Sequence, residues 1–296
     1  MHLFTPASVD EAIDLLTTSA MPVDSPTQRR LRTVEHLHDT FGSGRRRPAW
    51  VWALRDGADG PPLGVVAALG SAYDADEQRA FVLDHFGLPD DPELAHRLLG
   101  AATDAALSVG VEEAGIFAPT DHGVDSPELL ALTEPLRAAG WRLLVERRHY
   151  EFEPTPDAGE AHPTELTFEQ LTDPGDPRLA QVHRELMRET LDAHDQALVE
   201  RLGFEEACRE SLAFLLDADP VDRIHLAHDP SGTPVGIVSG LVVPSGRAFV
   251  LFVGVAHDHR GHGYGRELLA WQTRRLLAGG ALTLIADTDH ANVPMA

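Results

Sequence analysis

The 296-residue sequence contains no lysine, so all 24 of its basic side chains are arginines. That excludes a Walker A phosphate loop, which ends in Gly-Lys-Ser/Thr, and any lysine-based covalent chemistry. A single cysteine, Cys208, rules out an intrachain disulfide framework and a thiolate cluster for zinc. No run of about 18 apolar residues occurs. Residues 2–20 carry Asp10, Glu11 and Asp14 where a secretory signal would be apolar. The chain therefore reads as cytoplasmic, with no membrane partner. Positive charge is itself scarce: 47 acidic residues against the 24 arginines leave a net charge of −23. Such a surface repels phosphate backbones, so no nucleic-acid partner is expected, whereas a cationic small molecule or basic peptide is attracted.

What is present is ordinary globular material. Apolar residues make up 43% of the chain, with 25 glycines and 21 prolines, and the length suits one large domain or two of usual size. The segment from Pro154 to Pro163 has three prolines, a glycine and no apolar periodicity, and reads as a linker. Before it come a helix opened by the capping box Ser8-Val-Asp-Glu11, a helix over 27–40, and strands over 50–54, 63–69 and 79–86. A helix capped by Asp91 with Pro92 in its first turn, a short strand around Ile116, a helix over 128–139 and strand-like residues to Phe152 follow. After the linker the order returns: helices over 179–190 and 205–216, strands over 223–228, 235–243 and 248–255, a helix over 263–277 and a strand over 282–286. The fold class is α/β (α+β), and the element order suggests a tandem repeat. Its predicted domains are residues 1–153 and 164–296, joined by 154–163.

One segment carries chemistry. A buried strand, Phe249 to Val255, runs into Ala256-His-Asp-His-Arg-Gly-His-Gly-Tyr-Gly-Arg266 and then into a helix. Glycines at 261, 263 and 265 allow tight turning and close approach of a ligand. The first amides of the following helix lack intrahelical partners and lie at the positive end of its dipole, which makes an anion site. Residues 245–275 hold five arginines against Asp258 and Glu267, a local charge of +3 inside an acidic protein. The spacing Gly-x-Gly-x-Gly differs from the dinucleotide fingerprint Gly-x-Gly-x-x-Gly, whose strand also comes early in its domain.

The arrangement Val255-x-x-x-x-Arg260-Gly-x-Gly-x-Gly265-x-x-Leu-Leu269 resembles the acyl-CoA loop of the GNAT N-acetyltransferase superfamily, and Leu284 to Met295 resembles its fifth strand and the start of the next helix. The resemblance is close over 163–296 and loose over the first half. It implies two tandem GNAT-like domains, each a mixed, mainly antiparallel sheet flanked by helices, in a protein typical of high-GC bacteria. It implies acetyl-CoA as co-substrate, with no metal. The cofactor would be held by the backbone of Val253, Gly254 and Val255, by the loop residues Arg260, Gly261, His262, Gly263, Tyr264, Gly265 and Arg266, and by Asn292. Acyl transfer to a small-molecule amine, in a monomer or homodimer, would proceed by direct attack on the thioester. Rival readings are a non-catalytic acyl-CoA-binding scaffold, another acyl-CoA donor, or a protein N-terminus as acceptor.

Aligning Leu98-Leu99 with Leu268-Leu269 sets Asp90, Asp91, Pro92 and Glu93 where the second half has Arg260, Gly261, His262 and Gly263. Carboxylates and a proline oppose phosphate binding, so the first half is expected to be degenerate. The reaction needs a base. Asp287 is the candidate, with Asp289 beside it; both also read as turn or cap residues. Glu185, Glu189, Asp192, His194 and Asp195 could form an acidic acceptor wall or a solvated helical face, with Glu189, Asp192 and His194 the named substrate candidates. His257 reads as a loop histidine, Arg45 to Arg47 as a solvated turn, and Cys208 as a packing residue. Arg274 and Arg275 could meet the adenosine 3′-phosphate. GNAT domains continue past Asn292 through a helix and two strands, so the sequence reads as breaking off within the fold.

Overall fold

A computed structural model describes residues 1–57, 60–70, 79–155, 164–218 and 220–295. The chain forms two compact units, Met1–Leu143 and Leu144–Ala296. Residues 156–163 of the predicted linker fall outside the described residues, and so do 58–59 in the turn between the strands at 51–55 and 62–70.

The first unit runs β1 (His2–Phe4), α1 (Val9–Thr18), α2 (Pro26–Leu31), α3 (Val34–Gly42), β2 (Val51–Arg55), β3 (Pro62–Gly70), β4 (Ala80–Gly87), α4 (Pro92–Ser108), β5 (Glu113–Ala114) and α5 (Pro127–Ala138). Its sheet has the order β1-β2-β3-β4-β5, antiparallel except where β4 and β5 pair in parallel. The Ser8 hydroxyl accepts the Glu11 amide at 3.1 Å, as the capping box predicts. The Glu11 carboxylate reaches the amide of Ala7, one residue further back. The helix expected over 27–40 is two, because Thr33 caps α3 through the His36 amide. Strand β2 is buried on both faces. Trp50, Trp52 and Leu54 pack with α4 through Leu98, Leu99 and Ala102; Val51 and Ala53 pack with α1 and α3 through Ile13, Leu16 and Leu37. Both strand faces therefore stay dry, which explains an uninterrupted apolar run where a half-exposed strand would alternate.

The second unit runs β6 (Arg147–Phe152), β7 (Thr167–Gln170), α6 (Pro177–Met187), α7 (Ala193–Leu202), α8 (Phe204–Ala218), β8 (His225–His228), β9 (Pro234–Val242), β10 (Arg247–Val255), α9 (Tyr264–Ala278) and β11 (Thr283–Asp289). Its sheet order is β6-β11-β10-β9-β8-β7. Helices α6 and α8 cover one face, with Leu179, Val182, Leu186 and Leu215 on Ile224, Leu226 and Ile237. Helix α9 covers the other through Leu268 on Ala227, Val235 and Val238. The same succession of first strand, helices, hairpin, third strand, helix and parallel strand occurs in both units, giving two mixed, mainly antiparallel sheets flanked by helices. Strands β1 and β7, of three and four residues, are too short to show a period in the sequence, and α7 stands where a loop is expected.

The boundary also differs from the one drawn at residue 154. Strand β6 precedes the proline-rich segment yet pairs antiparallel with β11, from Leu284↔Phe152 to Asp289↔Arg147. Cross-strand polar contacts hold it there: His149 Nδ1 lies 2.7 Å from Asp287 Oδ1, and Arg147 Nε donates to Asp289 Oδ1 at 2.9 Å. Arg247 of β10 reaches Glu151 at 3.2 Å. Opposite charges on facing strand positions favour one register, since a slip by one residue turns each set of side chains to the other face. Among the described residues no helix is long and apolar enough to cross a membrane.

Candidate active site

Strand β10 is the spine of the site. On one side it pairs with β9 along its length, with a bulge that leaves Leu251 between the pairs Val250↔Gly240 and Phe252↔Ser239. On its other side the parallel register with β11 covers only Arg247↔Thr283 to Phe249↔Ile285. The two strands then part, and β11 turns to β6. From Val250 to Val255 the backbone edge of β10 consequently has no strand beside it among the described residues. An open edge of extended backbone is what an amide-bearing chain can pair with. Side chains alternate about it: Val253 and Val255 pack on the α9 side with Leu268 and Tyr264, while Phe252 and Gly254 face α6. A Cβ at Gly254 would lie 2.7 Å from the Leu186 side chain, so glycine lets α6 sit close against the strand.

The strand ends in a short 3-10 turn, His257–His259, and then the glycine loop. Gly261 and Gly263 have φ of 82° and 85°. Nothing lies within 4 Å of a Cβ built at either, so glycine is required there by backbone conformation. Gly263 caps α9 without a side-chain hydrogen bond, and the amides of residues 261–265 meet no acceptor among the described residues. These amides and the helix dipole together make an anion cradle. The first unit differs at the corresponding place: Asp91 Oδ1 accepts the Glu93 and Leu94 amides at 2.9 and 3.3 Å, filling the start of α4 with a carboxylate.

Several side chains do something other than their sequence positions suggested. Arg260 does not extend into the cradle. Its guanidinium donates to the carbonyls of Leu186 at 2.9 Å, Glu189 at 3.1 Å and Val255 at 3.3 Å, tying the end of α6 to the loop, and burial lowers its pKa. Arg266 is exposed on the first turn of α9. Arg275 turns inward to the Gly240 carbonyl and Gln272. His262 and Tyr264 stack with ring centroids 5.7 Å apart. His257 bridges Asp258 at 3.0 Å and Glu189 at 3.2 Å; these two hydrogen bonds raise its pKa and favour imidazolium. Glu189 holds a φ of 48°, unusual for a residue other than glycine.

Asp287 is exposed and already accepts from His149. Asp289 is buried, and its two oxygens receive Arg147 and the Ala193 amide at 2.9 and 2.7 Å. It is thus an anchor for the start of α7. Asp192 caps α7 through the amides of His194 and Asp195, and His194 Nδ1 lies 2.9 Å from Arg147. Asn292 sits in the turn after β11, its amide bonded to the Asp289 carbonyl. Beside these residues is an open pocket of about 320 Å³ lined by Leu144, Val145, Glu146, Leu191, Ala193, Gln196, Asp289, His290 and Ala291, at the small end of ligand pockets. Reading the sequence missed Arg147 because it lies in the other half of the chain. The available signal was the period-two charge pattern Arg147/His149 matched by Asp287/Asp289.

Comparison with known proteins agrees with this architecture. Residues 179–296 match the model of the Acetyltransferase (GNAT) family. No curated protein sequence matches the chain. Among solved structures, the chain is similar to a tandem GNAT protein from the clavulanic acid biosynthesis pathway, at 16% identity and a TM-score of 0.53, covering 99% of this chain and 91% of that one. It is also similar to a GCN5-related N-acetyltransferase from Sphaerobacter thermophilus, at 16% identity and a TM-score of 0.52, covering 98% and 87%. Residues 179–296 of the second unit therefore match the GNAT family, and the chain as a whole has the fold of tandem GNAT proteins.

Proposed function

We propose that the second unit binds acetyl-CoA and catalyses direct transfer of its acetyl group to a primary amine on a small, cationic acceptor in the cytoplasm. The observation that carries this reading is the unpaired edge of β10 leading straight into the free amides of residues 261–265. Such an edge suits the amides of a pantetheine arm, with Val253 to Val255 as partners, and the loop from Gly261 to Arg266 suits the pyrophosphate. Asn292, in the turn after β11, is the further candidate for the pantetheine arm. Arg260 shapes the loop from behind. Glu189, Asp192 and His194 are the candidate contacts for a cationic amine, and the pocket beside Asp289 has room for a small molecule. Asp287, whose carboxylate already meets His149, is the candidate base.

Two measurements test the reading. Release of free CoA thiol from acetyl-CoA is expected with at least one member of a library of primary amines, rising with amine concentration to saturation. Binding of acetyl-CoA without turnover on any amine or N-terminal peptide would instead identify a non-catalytic acyl-CoA-binding protein. Isothermal titration is expected to give one acetyl-CoA per chain, because Asp91 occupies the helix start in the first unit. A second site of similar affinity would overturn that assignment.

A further inference from the structure

A buried polar chain runs away from β10 through α6 and α8 to α7. The His183 ring, on α6, is 2% exposed and stacks over Phe252 of β10 with centroids 6.4 Å apart. Its Nε2 lies 3.3 Å from the Ser211 hydroxyl of α8, which donates to Asp195 Oδ1 of α7 at 3.0 Å. Because the hydroxyl proton is given to Asp195, the Ser211 oxygen can only accept from His183, so His183 carries its proton on Nε2. Nδ1 is left as an acceptor, buried and without a hydrogen-bond partner. Ser239, the register partner of Phe252 on β9, has a buried hydroxyl that also lacks a partner. Two orphan polar atoms flanking one aromatic ring beside the open strand edge are a place for a bound water.

From this geometry, and resting on the acyltransferase reading above, we propose that His183, Ser211 and Asp195 form the proton relay of the reaction, entered at His183 Nδ1 through a water beside Phe252. As the amine nitrogen bonds to the thioester carbon and the C–S bond breaks to release CoA thiolate, the N–H proton passes to the water, and a water proton passes to His183 Nδ1. The Nε2 proton moves to Ser211, and the Ser211 proton moves to the Asp195 carboxylate, which ends neutral. The three residues act through the water and so position and carry the proton without touching the substrate.

The terminus suits this role. Burial and the neighbouring Asp192 raise the Asp195 pKa to about 6, against hydrogen bonds from Ser211 and Thr190 and the nearby His194. A carboxylate in that range is ionised at pH 7 yet takes a proton readily. Burial holds His183 at about 4, so the imidazole passes the proton on and does not store it. The other titratable group facing Asp195 is Cys208 of α8, whose thiol burial keeps neutral.

The test uses the full chain, the best amine from the library, and the variants Ser211→Ala, Ser211→Thr and Asp195→Asn, with kcat and KM followed from pH 5 to 9 and acetyl-CoA affinity measured by titration. For the unmodified protein, kcat is expected to fall below about pH 6 with the slope of one proton. Ser211→Ala and Asp195→Asn should lower kcat about 100-fold, lose that acidic limb, and keep acetyl-CoA affinity; Ser211→Thr, which restores the hydroxyl, should recover both rate and limb. Nitrogen NMR of His183 should show the Nε2–H tautomer in the unmodified protein. An active parent whose Ser211→Ala and Asp195→Asn variants keep its kcat, or lose kcat with the acidic limb intact, would overturn the relay alone. A parent that binds acetyl-CoA and releases no thiol with any amine would overturn the acyltransferase reading, and the relay with it.

Discussion

Gly263→Asp is expected to abolish acyl-CoA binding while leaving the second unit folded. Gly263 caps α9 in the left-handed region, with φ of 85° and open space where a Cβ would stand. The substitution therefore meets no steric clash. Its conformational cost is about 1–2 kcal/mol. What it adds is a carboxylate among the amides that the pyrophosphate would occupy. Two like charges about 4 Å apart repel by roughly 4 kcal/mol in a surface environment of intermediate dielectric, so a loss of about 3 kcal/mol, more than 100-fold in Kd, is a moderate expectation. Gly263→Ala separates the contributions, since it carries the backbone cost without the charge and should weaken binding about tenfold or less. Titration calorimetry with acetyl-CoA, alongside thermal melting, reads both. Unchanged affinity in Gly263→Asp would remove the loop from the cofactor site.

Asp289→Ala is expected to be the most destabilising single change in the second unit among those near the site. The carboxylate is 4% exposed, and its loss would leave the Ala193 amide without its acceptor and Arg147 without its nearest anion. Arg147 is 42% exposed and is resolvated by water, so the cost is mainly that of the unsatisfied amide, about 1–3 kcal/mol, which for a unit of this size corresponds to a fall of roughly 2–12 °C in Tm. Asp289→Asn keeps one acceptor oxygen and should recover part of the loss. Because the same carboxylate anchors α7 beside the proposed acceptor pocket, the KM for the amine should rise while acetyl-CoA affinity stays within about twofold, the pocket and the glycine loop being separate contacts. A Tm within about 1 °C of the parent would show that Asp289 is not an anchor.

Much of the glycine loop's geometry was legible because its causes are local. The positive φ at Gly261 and Gly263, the bare amides at the start of α9 and the apolar strand before them all follow from neighbouring residues, and so does the contrast with Asp91 in the first unit. The acceptor side was not legible in the same way. Glu189, Asp192, His194 and Asp195 looked like equivalent members of an acidic loop. The fold gives them different roles: Asp192 caps α7, Glu189 meets His257, His194 meets Arg147, and Asp195 ends a buried chain from His183. Arg260 looked like a phosphate ligand and instead holds three carbonyls, because the end of α6, 74 positions earlier, lies beside it. None of these pairings has a signature within a short window.

By itself, the sequence determined the lysine-free, strongly acidic character of the protein, the alternation of helices and strands in two similar halves, and the position of a glycine turn rich in arginine within the more acidic whole. Each of these depends on composition, periodicity or backbone preference over a few residues. Only the tertiary structure decided that Arg147–Phe152 belongs to the second sheet, that Asp289 is an anchor, and that His183, Ser211 and Asp195 meet. Arg147 and Asp289 are 142 positions apart, and such contacts form only when the sheet brings distant strands into register and the buried charges must find partners to offset their lost hydration.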